Sequence, residues 1–126
     1  MLHRDVLRRC VWLLGMLASS WAQAHHSFAM FDKSKTVEIQ GTLYAAEFTN
    51  PHTWIWIEVA ATDGGATSKW GLEGGSVADL TRLGFTKDNL VAGAQVTATL
   101  HPLKDGRSGG QLISLEFGGG RVLRAF

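Results

Sequence analysis

From Thr53 to Val59 the chain reads Thr-Trp-Ile-Trp-Ile-Glu-Val, and this alternation constrains the fold more than any other stretch. Successive side chains of a strand point to opposite faces, so Thr53, Ile55, Ile57 and Val59 share one face and Trp54, Trp56 and Glu58 the other. The first face belongs to a core. The second carries two indoles beside a carboxylate, so it is either roofed by another segment or offered to a partner. Asn50-Pro51 marks the turn before this strand, because proline fixes its own φ and biases the residue before it toward extended geometry. His52 therefore stands at the mouth of the strand.

The flanking segments supply partners for that strand. Thr36 to Phe48 alternates with Val37, Ile39, Gly41 and Leu43 inward, and its central glycine fits the bend of a strand passing round a small barrel. Phe48 falls on the opposite parity, which predicts a bulge near Ala45-Ala46. Beyond the Thr62-Asp63-Gly64-Gly65 turn, Thr67 to Glu73 reads as a third strand with Trp70 and Leu72 on one side. Ser76 then caps a short helix whose buried stripe is Val77, Leu80 and Leu83, with Gly84 just past its end. A small turn, Thr86 to Leu90, leads to a strand from Ala94 to His101 with Val96, Ala98 and Leu100 inward. Asp105-Gly106 signals a hairpin, and Gln111 to Phe117 returns with Ile113, Leu115 and Phe117 inward. Gly118-Gly119-Gly120 reads as a flexible break. The order of three strands, a helix and two strands predicts a mainly β chain, a small five-stranded OB-like barrel with one short helix between strands three and four. An open β-sandwich is the competing architecture.

Ahead of these elements stand Arg4, Arg8 and Arg9, an apolar run from Cys10 to Ala18, and Ala22-Gln23-Ala24. The pattern predicts a cleaved secretory signal peptide over residues 1–24, with the cut between Ala24 and His25 and a periplasmic or secreted product. The apolar run is far short of the about 20 residues that span a bilayer, so no stable membrane span is expected after cleavage. Residues 25–126 are then a single β-barrel domain with an N-terminal arm, 25–35, whose Phe28, Met30 and Phe31 are expected to pack on the domain before a polar turn at Asp32 to Lys35. Cys10 is the only cysteine and leaves with the signal, which excludes disulfides and thiol chemistry. Three of the 12 Lys and Arg precede residue 25, against one of the 11 Asp and Glu, so the remaining chain is slightly acidic and nothing points to nucleic acid.

Four histidines follow the cut: His25, His26, His52 and His101. Cleavage would give His25 a free α-amine, which together with its own imidazole could chelate one metal ion; nitrogen ligands in tetragonal geometry suit copper(II). His26, His52 and His101 are candidates for the remaining ligands. The plain alternative is a solvated terminus, a turn histidine bonded to backbone and an exposed strand end. Trp54 and Trp56, with Tyr44 and Trp70 as neighbours and Glu58 on the same face, form either a platform for a small ligand or exported protein partner, or a second small core covered by the arm. No nucleophile–base set or carboxylate pair announces an enzyme: Glu47, Glu58, Glu73 and Asp79 are scattered and read as solvated or capping residues.

Five ordered strings, AHHSFAMFD, TNPHTWIWIEV, WGLEGGS, LTRLGFTKDNL and GAQVTATLHPLKDGRSGG, together resemble a family of small exported bacterial proteins of unknown function. The resemblance covers nearly all of the chain after residue 24 and implies export and a single β-rich domain. It implies no activity, substrate or cofactor. All four candidate histidines fall within its strings.

Overall fold

The computed structural model of the protein describes residues 29–126. The signal peptide, the Ala24/His25 cut, His25, His26 and Phe28 lie outside the described residues. The described residues form six strands, β1 (Val37–Glu47), β2 (Trp54–Val59), β3 (Ser68–Glu73), β4 (Gln95–Pro102), β5 (Gly109–Phe117) and β6 (Val122–Arg124), with a six-residue helix, α1 (Val77–Arg82), between β3 and β4. The β1–β2, β2–β3, β1–β4 and β4–β5 pairs are antiparallel, and a short parallel seam, Gly71 to Glu73 against Gly109 to Gln111, joins β3 to β5. That seam closes five strands into the OB-like barrel, and the open sandwich is set aside.

Ile39, Leu43, Ile55, Ile57, Leu72, Val96, Ala98, Leu100, Leu112 and Leu115 fill the interior, eight of them at 1% exposure or less. Each large one contributes about 1.5–3 kcal/mol of apolar burial, so the barrel interior is the main source of stability. Its two bulges explain where the side-chain parity changes. In β1 the partners shift between Leu43 and Ala45, leaving Tyr44 as the extra residue, one position before the expected bulge. In the β4–β5 pair Thr99 faces Ser114 but Leu100 faces Leu112, so Ile113 is extra. This corrects the inward pattern for β5: Leu112, not Ile113, is buried, and Leu115 and Phe117 resume on the other parity.

The helix is capped as its sequence indicates. Ser76 Oγ accepts from the Asp79 amide and donates to Asp79 Oδ2. At the other end Gly84 takes φ +92°, its amide bonds Thr81 O, and the Phe85 amide reaches back to Leu80 O at 3.0 Å. Those bonds carry Phe85 inward beside Leu80, both fully buried. Leu83, expected on the buried stripe, is the cap residue and is 41% exposed; a helix this short has only Leu80 on its inner face, and Phe85 fills the remaining space. The glycine run also differs from expectation. Gly119 and Gly120 adopt positive φ, and the Phe117 amide bonds Arg121 O, so Gly118 to Gly120 is a tight turn that returns β6 along β5.

Phe31 is buried and bridges to Leu103, the Asp32 amide donates to Pro102 O at 2.8 Å, and Met30 is exposed. In the Asp32–Lys35 turn the Ser34 hydroxyl, then the Lys35 ammonium, hold the Asp32 carboxyl down to about 2.

Gly41 is where the long first strand presses hardest on its neighbour: a Cβ there would lie 2.2 Å from Glu58 O and 2.8 Å from Ile57 Cγ2. Gly41→Ala is therefore expected to destabilise by about 2–3 kcal/mol in urea unfolding, whereas Gly118→Ala, which meets nothing within 4 Å, should change stability by under about 0.5 kcal/mol.

Candidate functional site

Two loops interlock at one end of the barrel. The Thr53 amide donates to Gly75 O at 2.9 Å, and the Gly74 amide returns a bond to Thr53 O at 2.8 Å. Asn50 Oδ1 accepts from the Val77 amide at 3.1 Å, satisfying one of the four open N–H groups at the start of α1. Thr49 Oγ1 donates to His52 O. The Thr-Asn-Pro-His-Thr turn and the Leu-Glu-Gly-Gly-Ser turn, far apart in sequence, thus become one unit, with His52 between them.

His52 Nδ1 lies 3.2 Å from Gly74 O and 3.1 Å from Glu73 Oε1. Both are acceptors, so Nδ1 carries the proton and donates, and in the neutral ring Nε2 is the bare nitrogen. Glu73 is buried, with 8% of its side chain exposed, while the His52 side chain keeps 30%. A carboxylate behind one ring nitrogen and solvent access to the ring is how a metal-binding histidine is oriented, and also how a general base is oriented. This corrects the solvated or capping role expected of Glu73.

His101 has the same tautomer for a separate reason: its Nδ1 is 2.8 Å from Lys35 O. Register then relates the two histidines. His101 pairs with Gln111, Gln111 with Glu73, and Glu73 with Trp54, so these four side chains stand in one row on the outer face. Strands lie about 4.8 Å apart, which puts the His101 and Glu73 Cα atoms about 10 Å apart. His52 and His101 are thereby drawn to one rim. Among the described residues no three His, Cys, Asp or Glu side chains are gathered closely enough to hold a metal ion. His25 and His26, the other expected ligands, lie outside the described residues.

The aromatic face is half-buried. Trp54 and Trp56 stack with ring centroids 6.0 Å apart and planes 22° apart. Trp56 lies over Gly71, where a Cβ would come within 2.7 Å of its six-membered ring, and its buried Nε1 has no hydrogen-bond partner among the described residues. Glu58 lies opposite Lys69 on the same face, and the Lys69 ammonium sits 3.6 Å over the Tyr44 ring. Trp70 does not join this face; it pairs with Ile57 and packs against the core. A shallow cavity of about 300 Å³ over Gln40, Thr97, Glu116 and Gly118 to Gly120 includes none of the candidate residues.

Sequence reasoning missed Glu73 and Asn50. Glu73 has outward strand parity, and nothing local marks it as buried; the docked Asn50–Thr53 turn lays His52 against it. Asn50 carried a turn signal, but its bond to α1 is a contact across 27 residues.

Residues 14–112 match the family described as "Family of unknown function (DUF6152)". No curated protein and no solved structure matches the chain.

The hydrogen-bond partners of His52 and His101 make a direct prediction: long-range proton–nitrogen NMR of the neutral rings should find Nδ1 protonated and Nε2 bare in both. An Nε2-protonated His52 would contradict the orientation assigned to it.

Proposed function

The chain belongs to the DUF6152 family, a family of unknown function, and we propose that it is an exported, periplasmic accessory module that binds a copper-type metal ion. His52 Nε2 is the central ligand, with His101 and the N-terminal pair His25 and His26 supplying further nitrogens. The observation that carries this reading is the buried Glu73 carboxylate against His52 Nδ1. Histidines that ligate metals almost always donate their second ring N–H to a carboxylate or carbonyl, which fixes the ring and makes the free nitrogen a better donor. His52 donates to both kinds of group, and His101 to a backbone carbonyl. Imidazole nitrogens suit copper(II) in tetragonal geometry, and an α-amine at His25 after cleavage would add a ligand of the same class. The described residues supply at most part of a ligand set, so the reading requires the N-terminal histidines to complete it.

Two measurements test this. Mass spectrometry of the exported protein should find His25 as its first residue. In copper(II) titration of that material, His52→Ala should weaken binding at least about tenfold, and Glu73→Gln by about tenfold through loss of the ring's orientation. Unchanged affinity in His52→Ala, with an unchanged melting temperature, rejects His52 as a ligand.

A further inference from the structure

We propose that Asp63, in the loop between β2 and β3, is a site of spontaneous isoaspartate formation, and that Arg107 suppresses the same reaction at Asp105. The inference goes beyond the copper reading and involves neither the rim of the barrel nor a metal ion. The sequence holds two Asp-Gly pairs, Asp63-Gly64 and Asp105-Gly106. Glycine leaves its amide nitrogen open to the preceding aspartyl Cγ, because no side chain stands beside it. When the carboxyl is protonated and the glycine N–H is free, the nitrogen attacks Cγ. A C–N bond forms, and the carboxyl hydroxyl leaves with the amide proton as water. Solvent water then opens the succinimide at its main-chain carbonyl, so the backbone continues through the former side chain. The water lost in the first step is regained in the second, and no electrons are exchanged.

The two pairs form a matched comparison. Both are exposed, and both aspartates accept the amide two residues on, Asp63 Oδ1 from Gly65 at 3.0 Å and Asp105 Oδ1 from Arg107 at 3.1 Å. Both glycines take left-handed φ, +76° at Gly64 and +79° at Gly106. Local backbone shape therefore does not separate them.

The state of the two reacting groups does. The Arg107 amide, then its guanidinium at 2.7 Å from Oδ2, hold the Asp105 carboxyl below the usual carboxylate range, so the protonated form that reacts is scarce. The Gly106 amide is itself committed to Leu103 O at 3.3 Å. At the other pair, among the described residues, Asp63 has no ion-pair partner and the Gly64 amide has no acceptor. Strand pairing between β2 and β3 ends at Val59 and Ser68, so the loop that holds Asp63 takes up the added backbone atom outside the barrel's ladder.

The test incubates the chain at neutral pH in water labelled with heavy oxygen and maps its peptides by electron-transfer mass spectrometry, whose backbone fragments distinguish isoaspartate from aspartate. Labelled isoaspartate should accumulate at Asp63 several times faster than at Asp105. Arg107→Ala, a change at an exposed side chain, should raise the rate at Asp105 several-fold and leave that at Asp63 unchanged. Absence of isoaspartate at Asp63, equal rates at the two positions in the unaltered chain, or an unaltered rate at Asp105 in Arg107→Ala overturns the proposal.

Discussion

The exchange of backbone bonds between Thr53 and the Gly74-Gly75 pair is the constraint on which the rest of this structure depends. It ties the turn entering β2 to the turn leaving β3 where both strands end, so the sheet is clamped at the end that bears the site. The Asn50 side chain extends the clamp to α1, and the helix in turn lowers Leu80 and Phe85 into the barrel mouth. Gly74 is part of the mechanism: a Cβ there would meet Leu80 Cδ1 at 2.6 Å, so the close approach of loop and helix needs a residue without one. The imidazole of His52 is held by the same turn, which makes its orientation a consequence of how the barrel mouth is packed.

Much of this architecture was legible because strand parity and turn chemistry are local. The Thr53–Val59 alternation, the Ser76 cap, Gly84 and the Asp105-Gly106 hairpin each encode their own geometry within a few residues. Ile113 and Leu83 were misread where a long-range effect decides. A bulge in β5 inserts Ile113 without leaving a local mark, since Leu112 and Ile113 are equally apolar. Leu83 continues the helical spacing of Leu80, and only the return of the chain at Gly84 makes Phe85 the buried residue instead. Strand β6 was hidden in the same way, because a run of three glycines looks like a break whether or not the chain that follows pairs back.

The candidate site was legible in its residue types and illegible in its pairings. His52 and His101 stand out as histidines beside a turn and at a strand end, and Trp54 and Trp56 as apolar residues on a face that should be wet. That Glu73 lies under His52 depends on the β2–β3 register together with the docking of Asn50 to Thr53, and neither has a signature at Glu73 itself.

Barrel closure and the site draw on the same few residues. The parallel seam is short, and glycines form half of it: a Cβ on Gly109 would come 2.9 Å from Gly71 O, and one on Gly110 would come 2.2 Å from His101 O. Small residues there let β3, β4 and β5 approach closely enough to close the barrel. That approach brings His101, Gln111 and Glu73 into one row, and the bare surface at Gly71 gives Trp56 a place to lie. A larger residue at the seam would separate the strands and, with them, the groups of the row. The outer face is thus polar and aromatic where the barrel closes because the closure itself leaves glycine there, and the neighbouring side chains cover what glycine does not.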